Sequence, residues 1–106
     1  MDDKELLELA AKAAGYEVEW IRNSGCFYRC EEEIGRETFD SLDDDGDALR
    51  LAATLQLDVI WFANMQYVTV ERRGFGENIG WTDDAGRAGA LRRAITVVAA
   101  QIGKTL

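Results

Sequence analysis

The sequence predicts an α+β fold: one helix followed by two strand–strand–helix units, with a mainly antiparallel sheet of about four strands packed against the helices. Three observations lead there. Apolar residues recur at helical spacing near both ends of the chain, the segments between them alternate or run apolar over strand lengths, and consecutive strands follow one another almost at once. At 106 residues, 47% of them hydrophobic, the chain reads as a single domain, residues 1–106, able to bury its own core.

The elements follow in order. Asp2 or Asp3 caps the first helix, in which Lys4, Glu8 and Lys12 form a polar stripe opposite Leu6, Leu9, Ala10 and Ala13. Gly15 supplies its left-handed stop. "YEVEWIR" then alternates, with Tyr16, Val18 and Trp20 on one side and Glu17 and Glu19 on the other, as a half-buried strand does. "NSG" is a turn, and "CFYRCEE" returns as the second strand of a hairpin. "EEEIGRETFDSL" is a connector with room for a short strand from Arg36 to Phe39.

Residues 44–55 read as the second helix, with Asp47, Arg50 and Thr54 outward and Ala48, Leu49, Leu51, Ala52 and Leu55 inward. "LDVIWFA", residues 57–63, is apolar at both parities except Asp58, the pattern of a strand covered on both faces. "MQYVTVERR" is a further strand, rich in β-branched and aromatic residues. "GFGENIG" reads as a glycine-rich loop carrying Phe75 and Ile79. The last helix starts at Asp83 or Asp84, with Ala88, Leu91, Ile95, Val98 and Ile102 stepping by three and four. "DDDGDALRLA" and "TDDAGRAGALRRA" open the two later helices alike, over too few positions to make a repeat.

Composition excludes several kinds of chemistry. The chain has no histidine, which removes Ser-His-Asp and Cys-His catalysis and most zinc sites. Cys26 and Cys30 cannot close a zinc site alone, and four residues apart in a strand they stand about 13 Å from each other, too far for a disulfide. The expectation is reduced, half-buried thiols. No apolar stretch is long enough to span a membrane, and the acidic, amphipathic "MDDKELLELAAKAAG" is unlike a secretory signal, so a cytoplasmic protein is expected. The net charge of −8 is uneven: residues 1–47 carry 15 acids and 5 bases, a net −10, whereas residues 48–106 carry 5 acids and 7 bases. Direct nucleic-acid binding is disfavoured by this balance, because phosphate neutralisation needs Lys and Arg. An acidic face instead suits a basic protein partner.

"FDSLDDDGDALRLA", Phe39 to Ala52, invites comparison with a calcium loop. With Gly46 as the loop glycine, Asp43 and Asp45 fit, but Ser41 and Ala52 stand where the first ligand and the bidentate glutamate belong. The segment reads better as a helix start: Asp44 or Asp45 accepts the free first-turn N–H groups, Asp47 follows as in a capping box, and the carboxylates favour the positive end of the dipole. Neither a metal nor a cofactor is expected. "RRGFGEN" lacks the Lys-Ser/Thr of a phosphate loop and reads as a hairpin tip.

Phe39, Leu42, Asp44, Asp45, Gly46, Asp47, Ala48, Leu49, Arg50, Leu51 and Ala52 together resemble a motif of small phage and prophage proteins of unknown function, described as having a phage αβα-sandwich domain. "ELLELAAKAAGY" and the alanine-rich last helix are similar to that group too, so about half the chain is covered. Asp40 and Ser41 stand where the family usually has Asn-Pro. The resemblance implies a phage origin and a fold, and it carries over no catalytic residue.

These readings converge on a non-enzymatic accessory protein in the cytoplasm of a bacterial host. It is expected to bind a host or phage protein with a basic surface, in the most specific version as a nucleic-acid mimic that inhibits a host defence system, of the anti-CRISPR type. The alternatives are a small enzyme using surface carboxylates and a structural oligomer of the phage life cycle. The oligomeric state is open, a homodimer included. The candidate partner-binding residues are Glu31, Glu32 and Glu33, then Asp43, Asp44 and Asp45, and the aromatic anchors Phe75 and Trp81. Both acidic clusters are expected near one edge of the domain.

Overall fold

In a computed structural model that describes residues 1–31 and 35–106, helix α1 spans Asp3–Ala14, capped by the Asp2 side chain and stopped by Gly15 at φ 77°. Strands β1 (Val18–Ile21), β2 (Cys26–Glu31) and β3 (Gly35–Phe39) form one antiparallel sheet, followed by helix α2 (Asp45–Leu55). Strands β4 (Asp58–Phe62), β5 (Tyr67–Arg72) and β6 (Phe75–Gly80) form a second one, followed by helix α3 (Arg87–Gly103). The fold is α+β, in one compact body.

The expectation of one sheet of about four strands is corrected to two sheets of three. Of the two added strands, β3 falls on the short strand for which Arg36 to Phe39 left room, and β6 lies where a loop was expected. Five pairs from Phe27↔Phe39 to Glu31↔Gly35 join β3 to β2, and "FGENIG" pairs along its length with β5. The β6 alternation is genuine, with Phe75, Glu77 and Ile79 half-buried, but Gly76 and Gly80 hide it from a propensity reading. Each half of the chain after α1 is therefore a three-strand meander and a helix.

Helix α3 is the central element, touching α1, α2, β5 and β6. Its buried face runs through Ala90, Ala94, Ile95, Val98, Ala99 and Gly103, and Ala88 from the expected stripe is exposed. Small side chains win there because α1 lies close, with Ala10 and Ala11 fully buried against the same core. On α1 the buried set is Leu6, Leu7, Ala10 and Ala11, so its face is rotated from the expected one while the Lys4–Glu8–Lys12 stripe stays outside. The first sheet closes the other part of the core with Phe27 and Phe39, which face each other across β2 and β3. Tyr16 and Trp20 meet these two rings edge-on.

Two expectations about burial fail. Leu49 is 70% exposed, whereas Asp47, assigned to the polar stripe, is buried. More consequential is β4: all five of its residues are exposed, although its sequence is that of a doubly covered strand.

Candidate interaction site

The turn from β3 into α2 is built by its own aspartates. Asp40 Oδ1 accepts the N–H groups of Leu42 (3.1 Å) and Asp43 (3.3 Å), an Asx-type turn. Asp44 is the N-cap, its Oδ1 accepting the Asp47 N–H at 3.0 Å. Asp47 does not return that bond as a capping box would. It reaches further back, accepting the Asp40 N–H at 2.9 Å, and its other oxygen holds Arg50 at 2.8 Å. These bonds explain why Asp47 is buried: it ties the two ends of the turn together.

Helix α3 then fastens the turn. Arg92 donates to the Leu42 carbonyl at 2.8 Å and to Asp45 at 2.7 Å. Beneath it the Thr96 hydroxyl donates to the Arg92 carbonyl at 2.8 Å, which leaves its oxygen to accept the hydroxyl of fully buried Ser41 at 2.7 Å. The first turn of α1 lies beside this assembly, with Asp3 held by Arg93 at 3.2 Å.

Between these parts runs an open cleft of about 300 Å³ lined by Asp3, Lys4, Trp20, Cys26, Asp40, Asp43 and Arg93, among others. Burial pushes the Asp40 carboxyl above its ordinary value of 3.8, and the Asp43 charge adds to this, while the two N–H bonds oppose it. Lys4 lies 4.7 Å from the centre of the Trp20 ring. Cys26 is half-buried, Cys30 is exposed and both are free. Among the described residues no group of three or more His, Cys, Asp or Glu side chains could hold a metal ion.

The candidate residues separate into three groups. Asp43, Asp44 and Asp45 share one solvent-facing turn with Asp40, and the structure brings Asp3 of α1 to the same cleft, which sequence spacing could not reveal. Glu32 and Glu33 lie outside the described residues. Glu31 stands opposite Gly35, at the far end of the β2–β3 ladder from Asp40. About 13 Å of strand separates the two ends. Phe75 and Trp81 are not exposed anchors either. Trp81 is 8% exposed and meets Trp61 edge-on at 5.7 Å, and Phe75 packs half-buried against the core. The exposed aromatics are Trp61 and Phe62, on β4.

Comparison with protein-family models, curated proteins and solved structures finds no match for this chain. Among the described residues no helix is long and apolar enough to cross a membrane.

Proposed function

We propose that this chain is a small acidic phage or prophage accessory protein that acts without catalysis, by binding a host or phage protein whose contact surface is rich in Lys and Arg. Inhibition of a host defence protein, with the acidic end taking the place of a nucleic acid, is the most specific form of this reading. The observation that carries it is the aspartate turn. Asp43, Asp44 and Asp45 face solvent from a segment that Asp47, Arg92 and Thr96 hold rigid, and Asp3 stands across the same cleft. Asp45 and Asp3 are paired with Arg92 and Arg93, so the charge that steers a basic partner is chiefly that of Asp43 and Asp44, held in a preorganised turn that loses little freedom on binding. The resemblance carried by Phe39 to Ala52 supports the phage origin.

The test is capture from host lysate at low and high salt, comparing the wild type with Asp43→Lys and with Glu31, Glu32 and Glu33 changed together to Lys. Asp43 is the better choice within the turn because Asp44 also caps α2. Captured basic proteins should be lost with Asp43→Lys and at high salt, where exposed charges are screened beyond about 8–10 Å. Identical capture and salt response in all three proteins would refute the reading.

One observation favours the enzymatic alternative: Asp40 lines a cleft and holds its proton more tightly than an ordinary aspartate. In that reading Asp40 is the general acid, with Lys4 and Arg93 orienting an anionic substrate. Carboxylate NMR across the acid range tests it, since an acid catalyst needs Asp40 to titrate far above every other acid.

A further inference from the structure

The second sheet has two edges, and they are finished differently. At β6 part of the outward edge is occupied: Gln101 accepts the Gly76 N–H and donates to the Gly76 carbonyl, both at 3.1 Å, and the Asn78 N–H goes to its neighbour Glu77. At β4 the parity of the ladder fixes which groups point outward. Gln66 accepts the Trp81 N–H, so Gln66, Val68 and Val70 bond β6, while Tyr67, Thr69 and Glu71 bond Phe62, Ile60 and Asp58. The N–H and C=O of Val59 and Trp61 therefore face away from the sheet, and among the described residues nothing bonds them.

That open edge carries little of the usual protection, only the Asp58 charge at its start. The chain has no proline, β4 has no Lys or Arg, and its pairing with β5 runs one-for-one without a bulge. Val59, Ile60, Trp61 and Phe62 are 37–45% exposed and Met65 beyond them 72%.

We infer that β4 pairs antiparallel with β4 of a second copy, joining two three-stranded sheets into one of six. Ile60 sits on the twofold axis, Val59 exchanges both backbone hydrogen bonds with Trp61 of the second copy, and Asp58 faces Phe62 rather than another Asp58. Charge permits it, because β4 belongs to the half of the chain with 5 acids and 7 bases, so the two acidic halves need not meet. Area fits a weak pair. At about 150–250 Å² per fully exposed large residue, the exposed parts of these five residues, backbone included, amount to at most roughly 450 Å² per copy, about 900 Å² for the pair. Stable interfaces begin near roughly 1,000–1,200 Å², so the dimer is expected to be weak and concentration-dependent. This inference does not rest on the acidic-end reading.

Sedimentation velocity of the full chain from about 1 to 100 μM tests the pairing, because a small interface of this kind is expected to dissociate in the micromolar range. A concentration-dependent dimer is expected. Val59→Pro removes an N–H that the monomer does not use, and Ile60→Lys brings two like charges together on the axis. Each should weaken the dimer about tenfold or more. Register is tested separately in a Cys26→Ser, Cys30→Ser background. Ile60→Cys should oxidise rapidly to a covalent dimer, since directly opposed non-hydrogen-bonded residues stand about 4.5 Å apart, and Asp58→Cys should not. A monomer at every concentration, a dimer that both β4 substitutions leave intact, or equal cross-linking at positions 58 and 60 would overturn the inference.

Discussion

Replacing Gly103 by alanine should destabilise the protein, although alanine is the better helix former. Gly103 ends α3 where it passes α1, and a Cβ built there falls on the Leu9 carbonyl oxygen and 2.8 Å from the Leu9 carbonyl carbon. The obstacle is backbone, so no side chain can rotate away. Helix α1 must shift, and Ala10, Ala11, Val98 and Ala99 sit in the same fully packed core. Overpacking of this kind costs about 1–3 kcal/mol, against a propensity gain of at most about 1 kcal/mol that shrinks at a helix end. A net loss of about 2 kcal/mol lowers Tm by roughly 8–15 °C in a domain of this size. Gly89→Ala is the control on the same helix. Its Cβ meets only Arg92 Nη2, at 3.5 Å, an ordinary van der Waals contact, so the propensity gain should survive as a rise of a few degrees. Thermal melts followed by circular dichroism decide the matter. If both substitutions raise Tm, the close approach of α1 and α3 is wrong.

Three further outcomes are expected. Thr96→Val leaves the buried Ser41 hydroxyl without its acceptor and should cost about 1–3 kcal/mol in urea denaturation, and adding Ser41→Ala should recover part of the loss. Arg73→Asn should stabilise by about 0.5–1 kcal/mol in the same assay, because Arg73 (φ 41°) and Gly74 (φ 90°) form the two-residue hairpin turn that favours Asn-Gly. Asp40→Asn keeps an oxygen to accept the Leu42 and Asp43 N–H groups but removes the ionisation that burial opposes. The folded state holds the Asp40 proton more tightly than the unfolded chain, so wild-type stability falls as pH rises from 3.8 through the raised value. The variant should therefore melt higher than the wild type at pH 7, and the advantage should disappear below pH 3.8.

The helices were legible because their signals are local. Asp2, Asp44 and Gly15 perform the capping and stopping roles their chemistry suggests, and the Asp83 side chain accepts the Gly86 N–H in a 3-10 turn before α3 proper begins. Strands that alternate strongly were legible too. One strand was only half visible and another was missed, for opposite reasons. In β3 the apolar signal is thin, and pairing with β2 supplies what propensity does not. In β6 two glycines interrupt the pattern, while the inward residues Phe75, Glu77 and Ile79 still keep strand parity. The aspartate turn was read correctly as a helix start. The bonds that hold it rigid come from Arg92 and Thr96, some fifty residues away, and no spacing rule reaches that far.

The most informative error concerns β4. Apolar residues at both parities predict a strand covered on both faces, and every residue of it is exposed. The pattern states what surroundings the strand favours, not which molecule supplies them. A strand that forms the middle of a six-stranded sheet only after two copies join has the same sequence requirement as a central strand, because its edge and the flanks of its faces are covered in the assembly. The swap among the aromatics follows from this. Trp81, expected to reach outward from a loop, is buried by the monomer, and it supports Trp61 edge-on from beneath. Phe62 is braced on the other face by its stacked contact with Tyr67 at 4.6 Å. Side chains left exposed yet held in place lose little rotamer freedom when a partner arrives, which is the property an interface strand needs.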